Sequence, residues 1–206
     1  MTKAAHHTEK RYVHKMVSSP VGRLTLVATD RGLAGIVWEN DRPGRVRLNL
    51  GAEDDRNPVI IETEHQLDEY FGGRRMVFTV KLDLAGTAFQ RTVWNALLTI
   101  PFGQTRSYGQ IAEQIGNPGA ARAVGAASSR NPVSIVAPCH RVIGATGALT
   151  GFAGGLDAKR RLLSLEGARP KPLISRAPLL RRVRHPARHD GAAVTRTDDD
   201  DVVAGL

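Results

Sequence analysis

The sequence predicts an α+β protein: a small α/β N-terminal part of strands and one helix, followed by a mainly helical part carrying a helix-turn-helix. Three observations predict it. β-rich runs and a single helical run occupy the chain up to about residue 84. Apolar residues at helical spacing take over from residue 88. Two short helical runs between residues 107 and 130 then meet across a tight Gly-Asn-Pro-Gly turn. The expected divisions are a disordered leader at 1–10, the α/β part at 11–85, the helical part at 86–167 and a disordered tail at 168–206.

Each element follows from its own residues. The stretch LTLVATDRGLAGIVWE (24–39) reads as two β runs around TDRG, a hairpin signal. Residues 41–58 are irregular and charged, which predicts a loop. A short helix is expected over 62–73, with Leu67, Tyr70 and Phe71 on one face and Gly72 and Gly73 ending it. VFTVKLDL (77–84) alternates as a strand does. Over 88–100, Phe89, Val93, Trp94, Leu97 and Leu98 recur at helical spacing. Ser107 is the expected N-cap of the next helix and Gly116 its stop.

The third helical run, 117–130, is built of small residues: Ala120, Ala121, Ala123, Gly125, Ala126 and Ala127, with Arg122 as the long side chain before Arg130. Composition alone favours close packing on a neighbouring helix. The alternative is a helix that lies against an external surface with one arginine projecting from it. A final helix follows the glycine-rich turn at 151–155, with Asp157 as expected N-cap and Gly167 just past its end. Glu166 lies four residues after Leu162 and three after Leu163, so it shares their face. It is either drawn inward, where it needs a partner, or solvated in the last turn.

Composition narrows the classes of function. Hydrophobic residues make up 41% of the 206, enough for a core. No apolar run approaches the roughly 18 residues of a membrane helix. The charged start MTKAAHHTEKRYVHK has no apolar segment of the kind a secretory signal needs. A single cysteine excludes an internal disulfide and a multi-cysteine zinc site, which points to a reducing, cytoplasmic setting. The formal charge is +9, and residues 167–206 hold eight Lys or Arg against five Asp, so the body of the chain is itself basic. Basic domains of this size often meet polyanions.

The cysteine sits in IVAPCHRVIG (135–144), with His140 and Arg141 directly behind Cys139. A lone cysteine is more often a small buried hydrophobe than a nucleophile. A basic or cationic neighbour changes the ranking, because it lowers the thiol pKa and favours the reactive thiolate. In a strand Cys139 and His140 would point to opposite faces, so the reading requires a bend, which Pro138 permits. Glu166 is the inward-facing candidate to complete a Cys–His–acid relay.

The stretch NPVSIVAPCHRVIGATGALTGFAGGLDAKRRLLSLEG, preceded by RSYGQIAEQIGNPGAARAVGAA, closely resembles the O6-alkylguanine-DNA alkyltransferases over about residues 88–167. The N-terminal part resembles the ribonuclease-H-like domain of that family more loosely, and the later part its winged-helix-like domain. The resemblance implies that Cys139 accepts the alkyl group of O6-alkylguanine, or of O4-alkylthymine, in a single-use reaction. It implies that His140 takes the thiol proton through a water, with Glu166 orienting the imidazole and Asn131 bracing the turn. Tyr108 would contact the phosphate of a flipped nucleotide and help protonate the departing guanine. Arg122 would fill the space left in the base stack, and Ala120, Ala121, Ala123 and Gly125 would let their helix approach the minor groove. Pro138, Phe152, Ala153 and Gly154 would line the base pocket.

Phe152 stands where the family usually has tyrosine, and Ala153 where some members carry a serine that hydrogen-bonds the base. The implied partner is double-stranded DNA, bound by a monomer without sequence preference, with no cofactor, no metal and no membrane. The rival classes are a non-enzymatic DNA-binding protein and a cysteine hydrolase. The first is disfavoured by the presence of Cys139 and by alanines that offer no base-reading groups. The second leaves the Arg122 helix without a role.

Overall fold

The computed structural model describes residues 11–168. The leader and the tail from residue 169 onward lie outside the described residues. Strands β1 (Val13–Val17), β2 (Leu24–Thr29), β3 (Gly32–Trp38) and β4 (Ala52–Glu53) form a sheet in the order β3-β2-β1-β4. The first three pair antiparallel, and β4 joins β1 in parallel through Val13↔Ala52 and His14↔Glu53. The hairpin expected at 24–39 is therefore β2–β3. β1 was not anticipated, and the loop expected at 41–58 contains β4; both pairings depend on partners that local patterning does not reveal.

Helix α1 (Pro58–Phe71) starts earlier than expected because Asn57 caps it, its side chain accepting from Val59 N and Ile60 N, with Pro58 in the first turn. Its buried residues Ile60, Thr63, Leu67 and Tyr70 recur at three and four positions and pack on the sheet. The strand expected at 77–84 does not form; what remains is a single bridge, Leu33↔Leu82. Earlier in the stretch, the buried Gln66 of α1 takes up Thr79. The Gln66 amide accepts from Thr79 N and donates to Thr79 Oγ1, both at 2.8 Å, so the helix claims polar groups that a strand partner would need.

The helical part consists of α2 (Ala88–Leu98), α3 (Tyr108–Gln114), α4 (Ala121–Ser129) and α5 (Gly155–Leu165), with a two-stranded parallel pair of β5 (Arg106–Ser107) and β6 (Val142–Ile143). Reciprocal capping boxes open α2 (Thr87 with Gln90) and α3 (Ser107 with Gln110). Val93, Trp94 and Leu97 of α2 are buried as expected, but Phe89 and Leu98 are 36% and 41% exposed. Leu98 is rotated by roughly 100° from Leu97 and Phe89 sits in the first turn, outside the packed stripe. Trp94 Nε1 donates to Ala127 O at 2.9 Å and ties α2 to α4. Gly116 closes α3 at φ +74°, and a 3-10 turn (Pro118–Ala120) leads into α4, giving the expected helix-turn-helix. Asp157 is not the N-cap of α5. The helix begins at the preceding glycines, and Asp157 lies in its first turn, paired with Arg160.

Candidate active site

The turn that carries the cysteine is built by Asn131. Its Nδ2 donates to Ala137 O at 2.7 Å and its Oδ1 accepts from Val133 N at 3.1 Å. Ile36 N of β3 donates to Pro132 O at 2.8 Å, so the turn is docked on the sheet. Within it, Ile135 holds φ +77°, the one non-glycine residue with a left-handed backbone among the described residues. Such a conformation costs a β-branched residue on the order of 1–3 kcal/mol and persists only where surroundings over-determine it. Here Asn131 and the complete burial of Ile135 do so. The chain then enters a 3-10 turn, Cys139–Arg141, rather than a strand. The extended backbone that would send Cys139 and His140 to opposite faces is therefore absent from this segment.

Next in the chain to Cys139, His140 and Arg141 both meet one saturated carboxylate. Glu166 is the C-cap of α5 and its side chain is fully buried, as the shared face with Leu162 and Leu163 implied. Its Oε1 lies 2.8 Å from His140 Nε2 and accepts from Arg141 Nη2 at 2.9 Å and from the Tyr70 hydroxyl at 2.7 Å. Its Oε2 accepts from Arg141 Nε at 2.8 Å and from Gly103 N at 3.3 Å. Burial alone would push this carboxyl up; the hydrogen bonds from His140, Arg141 and Tyr70 outweigh it and hold the pKa at about 2. Glu166 is therefore ionised at neutral pH and accepts the Nε2–H of His140. Burial keeps the imidazole pKa below its ordinary value despite the carboxylate, so His140 is neutral, with Nδ1 buried and without a protein partner.

The thiol departs from the expectation drawn from its neighbours. Burial pushes its pKa up, and this outweighs the opposing pull of Asn131, Ser134, Lys159 and Arg45. Cys139 is 7% exposed, with Sγ 3.8 Å from Ser134 Oγ. Burial thus works against a standing thiolate at this position.

Cys139 opens onto a cavity of about 440 Å³, lined also by Tyr108, Gly125, Phe152, Ala153 and residues 41–45. Phe152 packs edge-on against Trp38 at 5.2 Å and against His140 at 6.3 Å. Tyr108 reaches the cavity with its hydroxyl 2.9 Å from Thr150 Oγ1. Pro138 and Gly154, expected in the pocket, lie outside its lining. Pro138 is buried in the turn, and Gly154 is pressed on Trp38 so closely that a Cβ would fall 2.4 Å from the indole. On α4, Val124 and Ala127 face inward, whereas Arg122, Ala123 and Ala126 are exposed and Ala120, Ala121 and Gly125 are half-buried. Packing within the chain thus accounts for part of the small-residue composition and leaves an exposed strip of small residues beside Arg122.

A family model described as the DNA binding domain of 6-O-methylguanine DNA methyltransferase matches residues 88–168. A second, for the ribonuclease-like domain of the same protein, matches residues 12–84. The chain belongs to the 6-O-methylguanine DNA methyltransferase family. It is 50% identical over 157 residues to the methylated-DNA–protein-cysteine methyltransferase of Mycobacterium leprae, covering 74% of this chain and 90% of the relative. The enzyme of that name from Methanosarcina acetivorans is 47% identical over 156 residues, covering 75% and 98%. Among solved structures, the Mycobacterium tuberculosis O6-methylguanine methyltransferase matches with a TM-score of 0.68 and 47% identity, covering 79% of this chain and 97% of that one. The OGT of the same organism in complex with DNA also gives 0.68 and 47%, covering 76% and 92%.

Three residues of this cluster, Lys159, Arg45 and Tyr70, are not among the expected site residues, and Arg141, expected only as a cationic neighbour of the thiol, serves Glu166 instead. Arg141 chelates Glu166 and donates to Ile100 O at 2.6 Å. Lys159 is buried, donating to Val142 O at 2.6 Å and Thr150 O at 3.0 Å, with burial lowering its pKa to about 8. Its signal was available: it precedes Leu162 by three residues and Leu163 by four, the same face argument that placed Glu166. Arg45 donates to Asn131 O at 2.7 Å while pairing with Asp41, and Tyr70 reaches Glu166. Both cross from the N-terminal part, and no local pattern announces them.

Proposed function

We propose that this methyltransferase repairs duplex DNA by moving the alkyl group of O6-alkylguanine onto Cys139, with O4-alkylthymine as a further substrate. The carrying observation is the placement of the chain's single thiol on a cavity, on the same 3-10 turn as a histidine held by a buried glutamate. The proton of Cys139 passes through a water to Nδ1 of His140, whose Nε2–H stays on Glu166. The sulfur attacks the alkyl carbon, an S–C bond forms as the C–O6 bond breaks, and the released guanine takes a proton with Tyr108 assisting. Asn131 holds the turn rigid beneath the sulfur. The product is a thioether, a very poor leaving group, so each chain acts once and needs no cofactor or metal.

A base inside a duplex cannot reach a buried sulfur, so the damaged nucleotide is flipped into the cavity between Tyr108 and Phe152. The exposed strip of α4 is the surface for the minor groove: Ala123, with Ala120, Ala121 and Gly125 beside it, admits close approach to the sugars, and Arg122 replaces the flipped base. The relatives named as methyltransferases and the DNA-bound Mycobacterium tuberculosis structure support this reading. A monomer acting on DNA of any sequence, in the cytoplasm, is the setting it implies; no described helix is long and apolar enough to cross a membrane.

The experiment compares Arg122→Ala with the parent chain on two substrates, duplex DNA carrying O6-methylguanine and free O6-benzylguanine. An arginine that offsets unstacking, worth a few kcal/mol for any sequence, matters only for the duplex. Single-turnover repair of duplex should fall strongly, about 10-fold or more, while reaction with the free base changes little. Equal slowing of both would return Arg122 to the fold and the alanines of α4 to packing.

A further inference from the structure

Tyr70 stands near the end of α1, in the N-terminal part, yet its hydroxyl bonds to Glu166 across 96 positions of chain. It donates to Oε1, the same oxygen that holds His140 Nε2. The phenol ring is fully buried, packed against Phe71, Phe78 and Phe102 with centroids 5.4, 5.3 and 6.2 Å away. Burial first, and then the charge of Glu166, push its ionisation far above the ordinary range, so the hydroxyl is a permanent donor. A buried tyrosine in an aromatic nest satisfies its hydroxyl wherever it finds an acceptor. This one has taken a lone pair of the carboxylate that faces the imidazole.

We propose that Tyr70 is a positioning residue for alkyl transfer: its hydroxyl draws off part of the charge of Glu166 Oε1 and so keeps His140 a neutral proton acceptor. The inference rests on the reading of Cys139 as alkyl acceptor. A carboxylate has about four lone-pair sites, and each donor on Oε1 weakens the pull on the others. With the Tyr70 hydroxyl removed, Oε1 keeps only His140 and Arg141, and its bond to His140 strengthens. The imidazolium is then favoured, and more of His140 carries the proton that it must be free to accept. The N-terminal part thereby sets the protonation state of a group held by the C-terminal part.

The charged and titratable groups around His140 stay in place when that hydroxyl is removed. They are Glu166 and Arg141 in direct or shared contact, Lys159 from α5, Cys139 on the same turn, and Arg45, which acts on Cys139 from the loop before β4. The sign follows. The folded His140 pKa lies below the ordinary imidazole value. Tyr70→Phe moves it upward, so the acid limb of the transfer rate moves to higher pH.

The test is the single-turnover rate of the full chain with free O6-benzylguanine against pH, for the parent, Tyr70→Phe, Glu166→Gln and the double variant. Tyr70→Phe should displace the midpoint of the acid limb upward by about one pH unit. In the Glu166→Gln background it should add no displacement, because Tyr70 acts through that carboxylate. A purely structural role would lower the rate and the Tm without moving the midpoint, and that result overturns the proposal, as does an equal displacement in the double variant. Should Tyr70→Phe fail to fold, 3-fluorotyrosine in place of Tyr70, a stronger donor, should displace the midpoint downward; an unmoved midpoint overturns the proposal there too. A parent chain that does not alkylate at Cys139 would instead overturn the transfer reading itself.

Discussion

Cys139→Ala should abolish alkyl transfer outright while duplex binding survives. In the proposed reaction the thiol supplies the bond-forming atom, and it is buried in its turn rather than placed to hold a phosphate. It is 7% exposed, and its sulfur is turned toward Asn131 and Ser134 within the turn. Removing one buried sulfur costs some packing, on the order of 1 kcal/mol, which a chain with two apolar clusters tolerates. The measurement is transfer from O6-methylguanine duplex beside a titration of the same duplex. Residual transfer in Cys139→Ala would place the nucleophile elsewhere, although no second thiol exists in the sequence. Lost binding along with lost transfer would show that the cysteine turn shapes the DNA surface.

Glu166→Gln should slow transfer by about 10²–10⁴-fold, the usual contribution of a general base, with DNA affinity nearly unchanged. Glutamine keeps the shape but not the charge. His140 loses the acceptor that fixes its Nε2–H tautomer and stabilises the imidazolium formed when the thiol gives up its proton. Because burial keeps Cys139 above its ordinary pKa, no standing thiolate compensates. The same change leaves the Arg141 guanidinium buried beside a neutral amide. Breaking a buried pair in this way costs about 3–5 kcal/mol, so the rate must be read well below the variant's Tm. An unchanged single-turnover rate would show that the imidazole is not the proton acceptor.

Much of this site was legible in the residues. The Ser107 cap, the Gly116 stop and the inward face of Glu166 are local properties, and each stands where local chemistry put it. What was not legible depends on partners distant in the chain. β1 and β4 pair across 39 residues. In the period-2 run at 77–84, Gln66 of α1 satisfies the polar groups of Thr79. The basic neighbours of Cys139 suggested a lowered thiol pKa, but adjacency in sequence says nothing of desolvation, and desolvation dominates. Tyr70 read as one apolar face residue of a short helix; its hydroxyl became informative only once the fold set it against Glu166.

Whether Cys139 is a single-use alkyl acceptor is decided by incubating the chain with excess duplex DNA bearing labelled O6-methylguanine and mapping the label by peptide mass. Label should appear on the Cys139 peptide alone, rising to one methyl group per chain and stopping there, with unmodified guanine left in the DNA. Label on another residue, or methyl transfer continuing past one equivalent in a homogeneous sample, would contradict single-use transfer to Cys139.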